Sequence, residues 1–251
     1  MSSAEGMPPR NKLGVVGGMG SVAAASVFRI LVDMQDAVSD QDYIEVFLHN
    51  NSRVPDRTES IVGDGESPLP EIKRSVEVCN AFGADYVILA CMTSHFFIEE
   101  LQHGSRAQII DGIFETASFV ARTMPQTRRV GLLASTGLLQ CGLFQEAFRR
   151  FEIESIVFDA EEQKHYFMDP IYEPWGIKAG HTTGKPKDRF LSAVGRYGDL
   201  GADAVIGGCS EIPLVLAEGE AELPVINSID CLCRAAIDRC LATTPAVGTG
   251  A

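Results

Sequence analysis

One apolar stretch occurs twice in this chain. Gly83-Ala84-Asp85-Tyr86-Val87-Ile88-Leu89-Ala90-Cys91 is matched by Gly201-Ala202-Asp203-Ala204-Val205-Ile206-Gly207-Gly208-Cys209, and each copy runs from a Gly-Ala-Asp turn through a short apolar segment to a cysteine. Apolar runs of this length, bounded by turn residues, suit strands buried on both faces of a parallel sheet. Ligands of such sheets bind beyond the carboxyl ends of the strands, so both thiols are expected at a rim and not in a core. The repeat reaches further upstream. Leu13-Gly14-Val15-Val16-Gly17-Gly18-Met19-Gly20 has the pattern of Val130-Gly131-Leu132-Leu133-Ala134-Ser135-Thr136-Gly137, with 77 positions from Gly14 to Cys91 and 78 from Gly131 to Cys209. Self-similarity on this scale predicts two similar α/β halves that face each other. A cleft between them holds one thiol on each side of a small ligand.

Periodicity and turn residues fill in the elements. Strands are predicted at 13–16, 43–49, 86–90, 108–110, 129–133, 155–158 and 204–208. Helices are predicted at 21–34, 70–82, 94–101, 113–123, 138–150, 187–199 and 229–241, with a helical stretch through Glu161 and Tyr172 to Lys178. Residues 50–70 read as one long polar loop. Pro224-Val225-Ile226 and the helix after it have no evident counterpart and are expected to pack back onto the first half. The expected domains are 12–116 with 226–242 and 117–225, flanked by flexible tails at 1–11 and 243–251.

Charge and cysteine content narrow the function. A formal net charge of −13 argues against nucleic acid, which demands a basic face. An anionic ligand must then be gripped by a few local cations. Seven cysteines, odd in number and without paired zinc spacing, disfavour a disulfide framework and a structural metal. No window is apolar enough to span a bilayer, and residues 1–11 lack the apolar run of a signal peptide, so a cytoplasmic protein without membrane contact is expected. Gly17-Gly18-Met19-Gly20 matches neither the spaced dinucleotide fingerprint nor the P-loop, which argues against a nucleotide.

The chemistry falls to the thiols and to nearby cations. A cysteine ending a strand is often a small hydrophobe, but a paired placement beside free N–H groups favours thiolate formation. One thiolate and one thiol across a cleft form an acid/base pair able to invert a carbon centre. Arg53 and Arg57 stand in the polar loop, where they either pair with ligand carboxylates or with Asp56 and Glu59 in solvent. His95 is read as orienting the first thiol or as a capping and packing residue.

Five separated motifs carry a resemblance: Gly17-Gly18-Met19-Gly20, Pro55-Asp56-Arg57-Thr58, Cys91-x-Thr93-x-His95, Ile177-Lys178-Ala179-Gly180 and Gly208-Cys209-Ser210-Glu211-Ile212. In order and spacing they resemble the cofactor-independent aspartate/glutamate racemase family, in its aspartate racemase branch, over about residues 12 to 240. The resemblance implies two Rossmann-like domains related by a pseudo-two-fold, catalysis without pyridoxal phosphate or metal, a small dicarboxylic amino acid as substrate, and a homodimer. It implies Cys91 and Cys209 as the acid/base residues, and Arg57 and Lys178 as the grips on substrate carboxylates. Met19, Asn51, Met92, Thr93, Ser94 and Ser210 are the remaining expected substrate contacts. Met92 replaces the family's usual asparagine, and Ser94 a common alanine. The departure at Met92 keeps related chemistries open: hydantoin racemase, maleate isomerase, arylmalonate decarboxylase, or a non-catalytic binder of acidic amino acids.

Overall fold

A computed structural model describes residues 10–217 and 219–242. The predicted tail 243–251 and residues 1–9 lie outside the described residues. Asn11, placed by sequence in the first tail, is tied down: its backbone N–H donates to the Cys240 carbonyl at 3.2 Å and its amide to that of Arg239 at 3.1 Å.

The eight strands of the described residues form two parallel sheets of four. The first holds β1 (Leu13–Gly17), β2 (Val46–Asn50), β3 (Tyr86–Leu89) and β4 (Gln108–Ile109) in the order β2-β1-β3-β4. The second holds β5 (Arg129–Leu133), β6 (Glu154–Ile156), β7 (Ala204–Gly207) and β8 (Val225–Asn227) in the order β6-β5-β7-β8. The orders are the same, as the repeat predicts. Inner strands β1, β3, β5 and β7 are buried almost throughout, because helices cover both faces and no polar alternation is tolerated.

The Gly-Ala-Asp turns have a common purpose. Asp85 accepts the Lys12 N–H at 2.8 Å, and Asp203 accepts those of Arg128 and Arg129 at 2.8 and 2.9 Å. Each aspartate thereby satisfies donors at the start of the neighbouring strand, and the N–H bonds lower the Asp203 pKa.

Eleven helices occur among the described residues: α1 (Ser21–Asp33), α2 (Arg57–Val62), α3 (Leu69–Phe82), α4 (Ile98–His103), α5 (Gly112–Thr123), α6 (Thr136–Cys141), α7 (Leu143–Arg149), α8 (Ala160–Gln163), α9 (Asp169–Tyr172), α10 (Lys185–Asp199) and α11 (Ser228–Leu241). A wider-wound turn, Lys164–Met168, joins α8 to α9. The helices that close each half, α5 and α11, pack on each other. Their buried faces, with Ile113, Ala117, Leu232 and Ala236, join one core with Ile88 of β3 and Leu132 of β5.

Three differences from the sequence reading matter. Residues 225–227 do have a counterpart: they form β8, the fourth strand of the second sheet, while α11 packs against α5, α1 and β3. A boundary at 226 therefore cuts a strand from its own sheet. The polar loop holds α2, a single short helix opened by an Asp56 cap and anchored by burial of Arg57 and Thr58. The helix predicted at 138–150 breaks at Gly142, whose φ of +70° ends one helix and starts the next. Among the described residues, no helix is long and apolar enough to cross a membrane.

Candidate active site

β3 and β7 occupy equivalent places, and each ends two residues before a cysteine, Cys91 and Cys209. The chain after Cys91 winds at once into 3-10 turns over Met92–Phe97. Ser94 Oγ donates to the Cys91 carbonyl at 2.6 Å, and His95 Nδ1 lies 3.2 Å from the same oxygen. The Gly112 N–H donates to His95 Nε2 at 3.1 Å, so the proton of the ring sits on Nδ1 and points to Cys91. Burial lowers the His95 pKa, Asp111 working against it. His95 thus joins the first cysteine to the start of α5.

The second cysteine has a different neighbour. Cys209 Sγ donates to Glu211 Oε2 at 2.8 Å, Ser210 Oγ donates to the same oxygen at 3.2 Å, and Lys178 Nζ lies 3.9 Å from Oε1. Glu211 is 5% exposed. Burial first, then Glu211, pushes the Cys209 thiol well above its ordinary range; the Glu211 N–H pulls the other way and is outweighed. The expectation that free N–H groups favour a thiolate at both cysteines therefore fails at Cys209.

Arg57 opens α2 behind the Asp56 cap, which accepts the Thr58 and Glu59 N–H groups at 2.8 and 3.0 Å. Its Nη1 donates to the Pro55 carbonyl at 3.0 Å and its Nη2 to that of Met19 at 2.8 Å, while Nε is buried with no hydrogen-bond partner among the described residues. Burial opposes the Arg57 charge, but Cys91 and Asp56 outweigh it and the pKa rises. Tyr172 of α9 reaches across from the second half. Its hydroxyl donates to Asp56 Oδ2 at 3.4 Å, and Lys178 Nζ stands 5.1 Å from its ring centroid. Its pKa is raised, by burial and then by Asp56 and Cys209. Charge on Cys91 also raises Cys209. A second bridge between the halves joins Thr93 Oγ1 to Ser135 Oγ at 2.8 Å, both side chains buried.

Of the residues singled out in the sequence, Cys91, Arg57, Thr93, Cys209, Ser210 and Lys178 come together along this interdomain gap. Met19 belongs to it through its carbonyl. Asn51 is turned elsewhere: its amide donates to Glu71 and Ser75 of α3 and its oxygen accepts the Arg53 N–H. Met92 is 1% exposed and packs into the core shared by the two halves, its methyl facing Gly112. Ser94 is fully buried and supports the Cys91 turn. Asp56, Ser135, Tyr172 and Glu211 were not singled out as contacts. Ser135 had a signal, since the repeat aligns it with Gly18 beside the first strand. Tyr172 had none, because only the fold brings α9 over Asp56.

A cavity of about 660 Å³ lies elsewhere, between α5, β8 and α11; its lining includes Met124, Val225 and Arg234 but neither Cys91 nor Cys209. No cluster of three or more His, Cys, Asp or Glu side chains is arranged to hold a metal ion among the described residues.

Duplicated α/β halves, with a cysteine from each and an arginine and a lysine nearby where the halves meet, define a two-domain α/β protein. The chain belongs to the Asp/Glu/hydantoin racemase family, whose model matches residues 16–236. It is similar in structure to the aspartate racemase of Picrophilus torridus, with 25% identity, a TM-score of 0.80, and coverage of 91% of this chain and 93% of that one. It is similar in sequence to a broad specificity amino-acid racemase of Bacillus subtilis, 21% identical over 92% of this chain and 98% of the relative. A glutamate racemase of Francisella tularensis, solved with D-glutamate, shares the fold at a TM-score of 0.60 and 15% identity, over 92% of this chain and 80% of that one. These relatives are amino-acid racemases, which are isomerases.

Proposed function

We propose that this chain racemises an acidic amino acid, aspartate first, without a cofactor, using Cys91 and Cys209 as base and acid on opposite faces of Cα. The Cys91 thiolate takes the Cα proton, and the Cys209 thiol delivers its own to the other face. The turnover ends with a thiol at Cys91 and a thiolate at Cys209, and the reverse sequence serves the other enantiomer. Arg57 and Lys178 hold the two carboxylates and stabilise the negative charge that develops at Cα. The assembly proposed, on the family resemblance alone, is a cytoplasmic homodimer.

One observation carries this reading: the two cysteines stand two residues beyond equivalent strands of duplicated halves, Arg57 beside the first and Glu211 bonded to the second. The orphaned Nε of Arg57, buried beside Cys91, supports it, because a buried guanidinium N–H calls for an acceptor such as a carboxylate. The test is incubation with one enantiomer of aspartate in deuterated water. Deuterium is expected at Cα of the product, with racemisation slowed about 10²–10⁴-fold in Cys91→Ser and in Cys209→Ser. Protium retained during wild-type turnover, or undiminished racemisation by either variant, overturns the reading.

A wider substrate range is a second reading, favoured by Met92. Its side chain lies in the core and brings no hydrogen-bonding group to the gap, so selection rests on fewer polar contacts. A panel of acidic, neutral and hydantoin substrates separates the two readings.

A further inference from the structure

The duplication breaks down two residues after each cysteine. Cys91-Met92-Thr93 puts a hydroxyl where Cys209-Ser210-Glu211 puts a carboxylate. The Thr93 hydroxyl is engaged by Ser135, whereas the Glu211 carboxylate accepts directly from the Cys209 sulfur at 2.8 Å. At the first cysteine the charged neighbour is the Arg57 guanidinium. Equivalent strands thus end in sulfurs with neighbours of opposite charge.

We propose that Glu211 is a positioning residue for the second thiol: it holds Cys209 as the acid of the resting enzyme and leaves Cys91 as the base. The inference rests on the racemase reading and adds a direction to it. The groups facing Cys209 are Glu211 on its own segment, Cys91 beyond β3, Tyr172 of α9 and, through Glu211, Lys178. At 3.9 Å, Lys178 offsets the carboxylate without hydrogen-bonding to it within normal limits. The second bond to Glu211, from Ser210, fixes the acceptor oxygen in place.

A proton count gives the kinetic consequence. A turnover that starts from Cys91 thiolate and Cys209 thiol ends with a thiolate 2.8 Å from a carboxylate, the less favourable form. The resting form returns by proton exchange with water, taking a proton at Cys209 and losing one at Cys91. Because the two enantiomers are equal in free energy, kcat/KM is the same in both directions. The bias therefore appears as kcat and KM that differ between directions by a common factor.

The experiment is peptide-resolved alkylation of the full chain with iodoacetamide across a pH series, with the partly exposed Cys141 as internal standard. In wild type, Cys209 labelling is slow near neutral pH and rises only in alkaline solution. Glu211→Gln, which keeps the shape and removes the charge, moves the Cys209 profile down by about 1–3 pH units, or about 10- to 1,000-fold faster labelling at neutral pH. Lys178→Met moves it up. The common kcat and KM factor shrinks in Glu211→Gln. Superimposable wild-type and Glu211→Gln profiles overturn the proposal, as does wild-type Cys209 labelling already maximal near neutral pH. Where Glu211→Gln does not fold, Lys178→Met decides, because burial alone leaves its Cys209 profile superimposed on that of wild type. Absence of Cα exchange with any acidic amino acid sinks the racemase reading instead and leaves the labelling profiles to be judged on their own.

Discussion

Gly18 joins the fold to the site, and replacing it tests that connection. Its φ is +92°, and a Cβ there would lie 2.2 Å from the carbonyl carbon and oxygen of Asn51 and 2.6 Å from its nitrogen. All three atoms are backbone, and Asn51 is held by Glu71 and Ser75, so the obstruction does not swing aside. Gly18→Ala costs about 1–2 kcal/mol for the left-handed conformation and about 1–3 kcal/mol for the forced overlap. Gly142→Ala is the control, with φ of +70° and no atom within 4 Å, and it carries only the first cost. The expected difference in unfolding free energy between the variants, from urea titration, is thus about 1–3 kcal/mol. Activity separates them further, because Gly18→Ala displaces the neighbouring Met19 carbonyl that holds Arg57. Equal losses of stability in the two variants refute the steric argument, and unchanged activity in Gly18→Ala refutes the link to Arg57.

Two other outcomes follow from buried polar groups. Burial lowers the pKa of His95 and of His49, so the unfolded chain takes up these protons first as pH falls below the ordinary value of 6.5. Their effect is nil above that value, and stability declines below it until the folded histidines also protonate. The urea midpoint should accordingly fall between about pH 7 and about pH 5, less steeply in His95→Gln, and identical slopes count against a neutral His95. The Thr93 and Ser135 hydroxyls bridge the halves, and a double-mutant cycle with Thr93→Val and Ser135→Ala should give a coupling of about 0.5–1.5 kcal/mol in stability. Additive losses mean that the bridge contributes nothing.

The features legible in the sequence are those written in short-range chemistry or in the duplication. The Gly-Ala-Asp turns and the cysteines two residues beyond their strands are local and repeated, so the two similar halves and the place of Cys91 and Cys209 just beyond equivalent strands could be anticipated. α2 was hidden because a six-residue helix is marginal by propensity and is held by tertiary burial of Arg57 and Thr58. β8 was hidden because three residues leave no periodicity to detect. Side-chain direction was beyond reach altogether. Met92 and Asn51 sit beside cleft residues in the chain, yet one side chain turns to Gly112 and the other to α3. Conversely, Tyr172 is 116 positions from Asp56 and becomes its partner only when the halves close.

In the proposed chemistry two sulfurs serve one carbon and must be held to a fraction of an ångström, which a flexible linker between independent domains does not provide. The chain meets this demand by letting each half end in a helix shared with the other. α11 follows the last strand of the second sheet but packs against α1, β3 and α5, while α5 follows the last strand of the first sheet and packs against α7 and α11. The resulting core takes in Ile88 of β3, Leu232 of α11 and Ile206 of β7 as one cluster. Rigidity at the gap is therefore a property of that core, and the polar bridges Thr93–Ser135 and Tyr172–Asp56 add only alignment at its mouth. A scaffold of this kind can remain symmetric in its strands while its sulfurs diverge in charge environment, because Arg57 and Glu211 both lie on segments that follow the strands and not within them.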